Sequence, residues 1–386
     1  MSFIITLLAA VFVFSAVIAI HEFGHFAVAK LCGVQVNEFS IGMGPVLLKK
    51  TQNGTQYSLR ALPVGGFVAL EGEESPESQQ AEKGERPDAE PQTPPPCADA
   101  DGSPDGGAGN EKAPAQPVGK PLNEAAVWQR ALIMAAGAFM NFLLGFVVMV
   151  ILIAAQSEPI TSRVIYAIDD GALCGQTGLE AGDKVLAVNG RRCFVANDML
   201  YELMRTEDYS ARFTVLRGGE KVELPCVRFD TWQDEQGQTH MTLGFTVYGL
   251  KKTPQNVLKE SANSVIYYGR IIYTSLADLL RGRESINDLS GPVGIVTAIG
   301  QAASYGWEDV AELLVLITIN LGVFNLLPFP ALDGGKIVFL LIEAVTGHAV
   351  PEKIQSSLTV AAFALLFGLM LFATYNDIIR LITGAV

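Results

Sequence analysis

The alternation of apolar and polar positions divides the chain into long unbroken apolar runs and short alternating ones. Three runs are plain, at 3–30, 131–156 and 359–374, and a fourth, 313–345, is interrupted by Pro328, Pro330 and Asp333. With its flanks, each approaches or exceeds the about 20 residues that take a helix across a hydrocarbon core. About four transmembrane helices are expected. A signal peptide is the alternative for the first run, but Met1-Ser2 brings no basic n-region and no small-residue cleavage pattern precedes His21. It reads as a retained span.

The shorter periodicities fall between these runs. Residues 33–70 form extended pieces at 36–40, 46–49, 56–60 and 67–70, punctuated by Gly42, Gly44, Asn53-Gly54 and Gly65-Gly66. Asn-Gly between alternating stretches is a hairpin signal. A sheet that follows the first helix so closely has an edge near it, where an extended peptide could pair. Residues 159–250 read as a soluble β-rich domain, with strands expected at 163–168, 184–188, 212–216 and 221–227. From Pro254 to Arg281 an amphipathic pattern with Tyr267, Tyr268, Ile271, Ile272, Tyr273 and Leu276 predicts a helix. It lies either at the membrane interface or on the β-rich domain.

Composition agrees: of 386 residues 49% are hydrophobic and 17% charged, which describes a membrane protein carrying soluble parts. The net charge of −13 is mostly local, since residues 71–124 hold 13 acids, 4 bases and 10 of the 19 prolines. Such a segment buries too little apolar surface to offset its ordering entropy, so a disordered linker is expected, with partner binding the alternative. No basic face remains for nucleic acid. The five cysteines show no C-x-x-C spacing, which excludes a zinc ribbon. Among Cys174, Cys193 and Cys226 one disulfide is conceivable, but free thiols are the default.

The candidate chemistry begins inside the first apolar run, with His21-Glu22-Phe23-Gly24-His25. Residues four apart share a helix face, so His21 and His25 can offer two imidazole nitrogens to one Zn²⁺, with Glu22 beside the metal as base. This HExxH pattern points to metal-assisted hydrolysis. A purely structural pair is disfavoured, because each ionisable group at the centre of a membrane helix costs roughly 2.5–3.5 kcal/mol on insertion scales. A catalytic zinc takes three protein ligands and keeps a position open, so a third is needed. His240 and His348 lie at the wrong depth. Asp333, in an apolar segment broken by Pro328 and Pro330 and followed by Gly334-Gly335, is the better candidate; a helix cap facing water would explain the carboxylate but not its setting.

Together, His21 to His25 and the pattern Asn325-x-x-Pro328-x-Pro330-x-Leu332-Asp333-Gly334 resemble the site-2 protease family of intramembrane zinc metalloproteases. The nearest branch is the bacterial regulator-of-sigma-E (RseP-like) one. The pieces 39–45, 62–68 and 289–295 resemble it too, and 178–190 resembles the PDZ signature, with room for one such domain. The alternative for that last piece is a generic small β domain. The resemblance implies a polytopic α-helical membrane protein with a membrane-associated β-hairpin sheet and an inserted PDZ domain. It implies zinc on His21, His25 and Asp333, Glu22 as general base, and substrate contacts at Asn325, Gly42 and Gly44. Single-span membrane proteins or peptides, such as an anti-sigma factor or a remnant signal peptide, are the implied substrates, with a peptide C-terminus at the PDZ domain. Two departures stand out: Ala138 where relatives often carry Pro, and a long acidic segment.

The expected division is thus 1–70 for the first span and β-loop, 71–124 for the linker, and 125–157 for the second span. The PDZ domain follows at 158–250, interfacial helices at 251–310, the third transmembrane segment at 311–347 and the fourth span at 348–386. Basic residues Lys30, Lys49, Lys50, Arg60 and Arg130 put the linker on the cytoplasmic side of a bacterial inner membrane, with the PDZ domain opposite. Two rivals are a zinc-free scaffold that binds peptide tails and a metal transporter. The first leaves Glu22 unexplained, and the second lacks a continuous polar path.

Overall fold

A computed structural model describes residues 3–73 and 119–383, apart from 207, 236, 284, 287 and 288. The expected linker therefore lies, from 74 to 118, outside the described residues, as does Cys97.

Helix α1 (Phe3–Leu31) is the first apolar run. It stops in a Schellman turn: Gly33, at φ +71°, sends its N–H to Lys30 C=O and Val34 N–H reaches Ala29 C=O. Strands β1 (Val36–Gln52) and β2 (Thr55–Leu70) follow. Asn53 and Gly54 join them at φ 51° and 72°, the two positive values of a type I′ turn. Both strands then bend back. Glu38, Phe39, Ser40 and Ile41 each pair twice, with Gln56, Tyr57, Ser58 and Leu59 on one side and with Ala69, Val68, Phe67 and Gly66 on the other. Because Leu48, Lys49, Lys50 and Thr51 also pair with 56–59, two strands make a four-row sheet. The bends sit at Gly42, Gly44 and Gly65, at φ +88°, +83° and +89°, where glycine avoids the steric cost of positive φ.

Residues 119–124, assigned by sequence to the linker, are packed: Lys120 bridges to Val34 and Leu122 is buried with Ala29, Val36 and Ile133. Backbone hydrogen bonds from Gln35 N–H to Lys120 C=O and from Lys120 N–H to Gly33 C=O join the buried Leu122 side chain in anchoring this turn onto the end of α1. Helix α2 (Val127–Ala155) crosses α1 at small residues, where a Cβ on Gly24 would sit 2.8 Å from the Ala136 backbone carbon. Small residues let helices approach closely in a membrane, where burial alone gives no drive to associate.

The domain after α2 contains β3 (Ile160–Ile168), α3 (Leu173–Gln176), β4 (Lys184–Val188), β5 (Arg191–Arg192), α4 (Ala196–Met204), β6 (Ser210–Arg217) and β7 (Glu220–Arg228). A separate hairpin, β8 (Asp230–Gln233) with β9 (Thr239–Thr242), precedes β10 (Phe245–Leu250). The sheet runs β10-β3-β4-β6-β7, with β5 on β4, so all four expected strands are present. Its core holds Ile165, Leu179, Val185, Leu203 and Phe213, each worth about 1.5–3 kcal/mol when buried. No disulfide forms among the described cysteines: Cys174 and Cys193 are buried thiols and Cys226 is exposed.

Helix α5 (Pro254–Leu280) is the expected amphipathic one, started by the Thr253 hydroxyl accepting from Asn256 N–H and by Pro254 in its first turn. It packs on α2 and binds the β domain through two ion pairs, Arg270–Asp198 and Arg205–Asp278. Of the two placements read from sequence, packing on the β domain is thus observed. Helix α6 (Pro292–Tyr305) follows; its Gly294 N–H donates to Asp377 at 2.7 Å.

The interrupted fourth run forms two helices, α7 (Trp307–Asn325) and α8 (Asp333–Thr346), on either side of the prolines. Pro328 and Pro330 remove two donors between them, and the intervening loop folds back so tightly that a Cβ on Gly334 would meet Leu326 and one on Gly335 would meet Phe329 and Pro330. The close backbone that these glycines accommodate is the chain's own. Helix α9 (Glu352–Thr383) ends the described chain. Among the described residues, three helices are long and apolar enough to cross a membrane: Ile4–Leu31, Val127–Ala155 and Glu352–Thr383.

Candidate metal centre

The break between α7 and α8 brings the two sequence motifs together. Asp333, the first residue of α8, places Oδ2 3.3 Å from His21 Nε2 and 3.3 Å from His25 Nε2, and the two nitrogens are 3.2 Å apart. Both imidazoles are buried, and Asp333 Oδ2 is buried without a hydrogen bond. Among the described residues, these three form the one group of ligand-type side chains that converges closely enough for a metal.

The group fits zinc. A tetrahedral ion with bonds of about 2.0–2.1 Å separates neighbouring donor atoms by about 3.3 Å, which is the size of the observed triangle. Three lone-pair donors facing one another at such distances repel unless a cation or proton lies among them. His25 is set up to present a bare nitrogen: its Nδ1 is 2.8 Å from Ile133 C=O, which can only accept, so Nδ1 carries the proton and Nε2 the lone pair.

Helix α2 shapes the other side. Gly137 lies against both rings, and a Cβ there would overlap His25 Nε2 and come within 2.6 Å of His21 Cε1. Asn141, fully buried, has its amide nitrogen 3.3 Å from His21 Nδ1. Asn325, at the end of α7, has its amide nitrogen 3.5 Å from each nitrogen of the His21 ring.

Glu22 is next to the triangle, interacting with His21, His25 and Asp333 and with the Val68 backbone N–H. A Cβ on Gly66 would be 3.7 Å from Glu22 Cγ, so the outer row 66–69 of the sheet runs past this carboxylate. Gly42 and Gly44 sit in the bend of β1 and are not part of the converging group; Ile41, beside Gly42, pairs with Gly66. His240 is occupied by Asp234 at 2.9 Å and stacked on Trp232, and exposed His348 contacts Thr346 C=O. Neither joins the cluster.

Of the residues expected from sequence, His21, Glu22, His25, Asn325 and Asp333 are thus assembled in one place. The contributions of α2 were not foreseen. Asn141 carried a readable signal as an amide within an apolar run; Ile133, acting through its carbonyl, and Gly137, acting through an absent side chain, carried none.

Known proteins resemble the chain over nearly its whole length. The model of peptidase family M50 matches residues 9–369. The chain is 29% identical over 426 residues to the regulator of sigma-W protease RasP of Bacillus subtilis, covering 98% of this chain and 99% of that protein. It is 30% identical over 415 residues to the zinc metalloprotease RasP of Geobacillus kaustophilus, covering 97% of each. Similarity to the zinc metalloprotease RasP of Bacillus licheniformis is 28% over 425 residues, covering 97% and 99%.

Proposed function

Because the chain belongs to peptidase family M50, the site-2 proteases, and is a zinc metalloendopeptidase, we propose that it cleaves substrates inside the membrane. The substrates are the transmembrane segments of single-span proteins or membrane-held peptides; His21, His25 and Asp333 hold the zinc, and Glu22 is the general base. The observation that carries this reading is the triangle of Nε2, Nε2 and Oδ2 atoms, with sides of 3.2, 3.3 and 3.3 Å, built on an apolar helix.

Zinc, when held, supplies Lewis-acid polarisation and lowers the pKa of water to roughly 7. Glu22 then accepts the proton of the attacking water on a carboxylate oxygen and delivers it to the departing amine nitrogen. The Asn325 amide N–H stabilises the charge that builds on the scissile carbonyl oxygen.

A peptide bond within a substrate helix is shielded by its own hydrogen bonds, so the segment must unwind before water can attack. Its freed N–H and C=O groups need partners, because the bilayer offers none. Row 66–69, passing Glu22, provides them by strand addition. The bends at Gly42 and Gly44 carry exposed Met43, Leu47, Leu48 and Leu62, an apolar patch suited to lipid.

In this reading the helix pair α7–α8 completes a fourth crossing of a bacterial inner membrane. The basic residues Lys30, Lys49, Lys50, Arg60 and Arg130 face the cytoplasm with the acidic segment. The β domain on the opposite side acts as a PDZ module that receives a peptide C-terminus. The Bacillus subtilis relative's name, regulator of sigma-W protease, supports a membrane-anchored anti-sigma factor as a substrate class; a remnant signal peptide offers the same chemistry. Reconstituting the protein in vesicles with a single-span test substrate examines the proposal. Wild type should cut within the membrane segment, and Glu22→Gln should keep its zinc without cutting; cleavage by Glu22→Gln would remove Glu22 from its role.

A further inference from the structure

We propose that Asn141 is a positioning residue of this centre: its side-chain amide holds the His21 imidazole so that Nε2 turns as a bare nitrogen toward His25 and Asp333. The inference rests on the zinc reading above and adds a residue of α2 to it.

The two imidazoles are not tethered alike. His25 is fixed by Ile133 C=O. For His21 to offer Nε2, its Nδ1 must carry the proton and find an acceptor of its own, since ligating histidines are oriented through the other ring nitrogen. Two amides are near. That of Asn325 is 3.5 Å from both ring nitrogens, a position that favours neither. That of Asn141 is 3.3 Å from Nδ1.

Asn141 Oδ1 is fully buried and has no hydrogen-bond partner, while the amide nitrogen faces Nδ1. The two ends of an amide have nearly the same shape, and the partner decides which end faces it. With the oxygen turned to Nδ1, the orphaned acceptor gains a donor and Nε2 is freed for the metal. With the nitrogen there, the Nδ1 lone pair is used up, and the ring proton must sit on Nε2, among the ligand atoms.

The backbone holds this arrangement in place. Thr318 Oγ1 donates to Asn141 C=O at 3.2 Å, which fastens this turn of α2 to α7. Ile133, Gly137 and Asn141 follow one another at intervals of four and so line one face of α2. That face gives a carbonyl to His25, a gap to both rings and an amide to His21.

Zinc affinity of the full-length protein in detergent, measured by competition with a chelator, tests the proposal. Asn141→Leu should weaken zinc binding about 10–100-fold, the usual effect of losing such a partner. Asn141→Asp, which keeps an acceptor at the same place, should stay near wild type. The zinc-free variants should unfold at the wild-type temperature. Selective ¹⁵N labelling of the four histidines gives a readout that needs no variant: in zinc-loaded wild type, His21 should carry its proton on Nδ1. Wild-type affinity in Asn141→Leu, an equal loss in Asn141→Asp, or a proton on His21 Nε2 would each overturn the role of Asn141 and leave the zinc reading standing. A wild type that takes up no zinc would instead remove the premise, and the proposal with it.

Discussion

Gly137 of α2 is packed so closely on His25 of α1 that a Cβ at position 137 would overlap the imidazole Nε2. The ring has no room to retreat, because its Nδ1 is bonded to Ile133 C=O only one turn away on the same helix. Gly137→Ala should therefore displace the imidazole and lower the cleavage rate about a hundredfold, the effect expected of a misplacement near 1 Å. Initial rates on a single-span substrate check this; a rate equal to wild type would show that the two helices separate without cost.

In the proposed zinc centre Asp333 supplies charge as well as a ligand atom. Asp333→Asn preserves the shape of the α8 N-terminus but weakens the donor, so zinc content after dialysis should fall well below one ion per chain. The fold should survive, since α8 is also held to α2 by the bidentate Arg130–Glu343 pair at 3.1 and 2.5 Å. Circular dichroism and metal analysis on the same sample separate the two effects.

How much of this was legible in the sequence depends on what each residue contributes. His21, His25 and Asp333 announce themselves because charge in an apolar run is costly and needs a reason. The Asn53-Gly54 turn and the strands around it follow from periodicity. The folding of β1 and β2 into four rows does not, because double pairing of 38–41 depends on where the chain bends, and the pattern gives strands without giving their partners. Pro328 and Pro330 located the break in the fourth run. Gly334 and Gly335 pointed to a close backbone without saying that it is the loop 326–330.

The β domain's attachment gives another prediction. Asp198 accepts from Phe194 N–H, from Val195 N–H at 3.0 Å and from Arg270, with its side chain fully buried. Arg270→Ala leaves this carboxylate without its cation and should destabilise the α4–α5 contact by on the order of 3 kcal/mol. Faster hydrogen exchange in α4 and α5 of the full chain would register it, whereas unchanged protection would show that the pair adds nothing.

Thiol reactivity should divide the domain's cysteines. Burial, with help from Asp198, pushes the Cys193 thiol up to about 12, and burial also raises Cys174. Cys226 is exposed. A maleimide at neutral pH should label Cys226 in the native protein and reach Cys174 and Cys193 only after unfolding, because the thiolate is the reactive form. Mass spectrometry of the labelled peptides checks the order.

The central claim is that two imidazoles of α1 and one carboxylate of α8 grip a single zinc ion, and zinc X-ray absorption on the purified full-length protein tests it most directly. The account predicts one zinc per chain, two imidazole nitrogens at about 2.0–2.1 Å, oxygen in the remaining positions, and a clear loss of occupancy in Asp333→Ala. A spectrum with sulfur ligands, or an Asp333→Ala protein with the wild-type zinc shell, would contradict it.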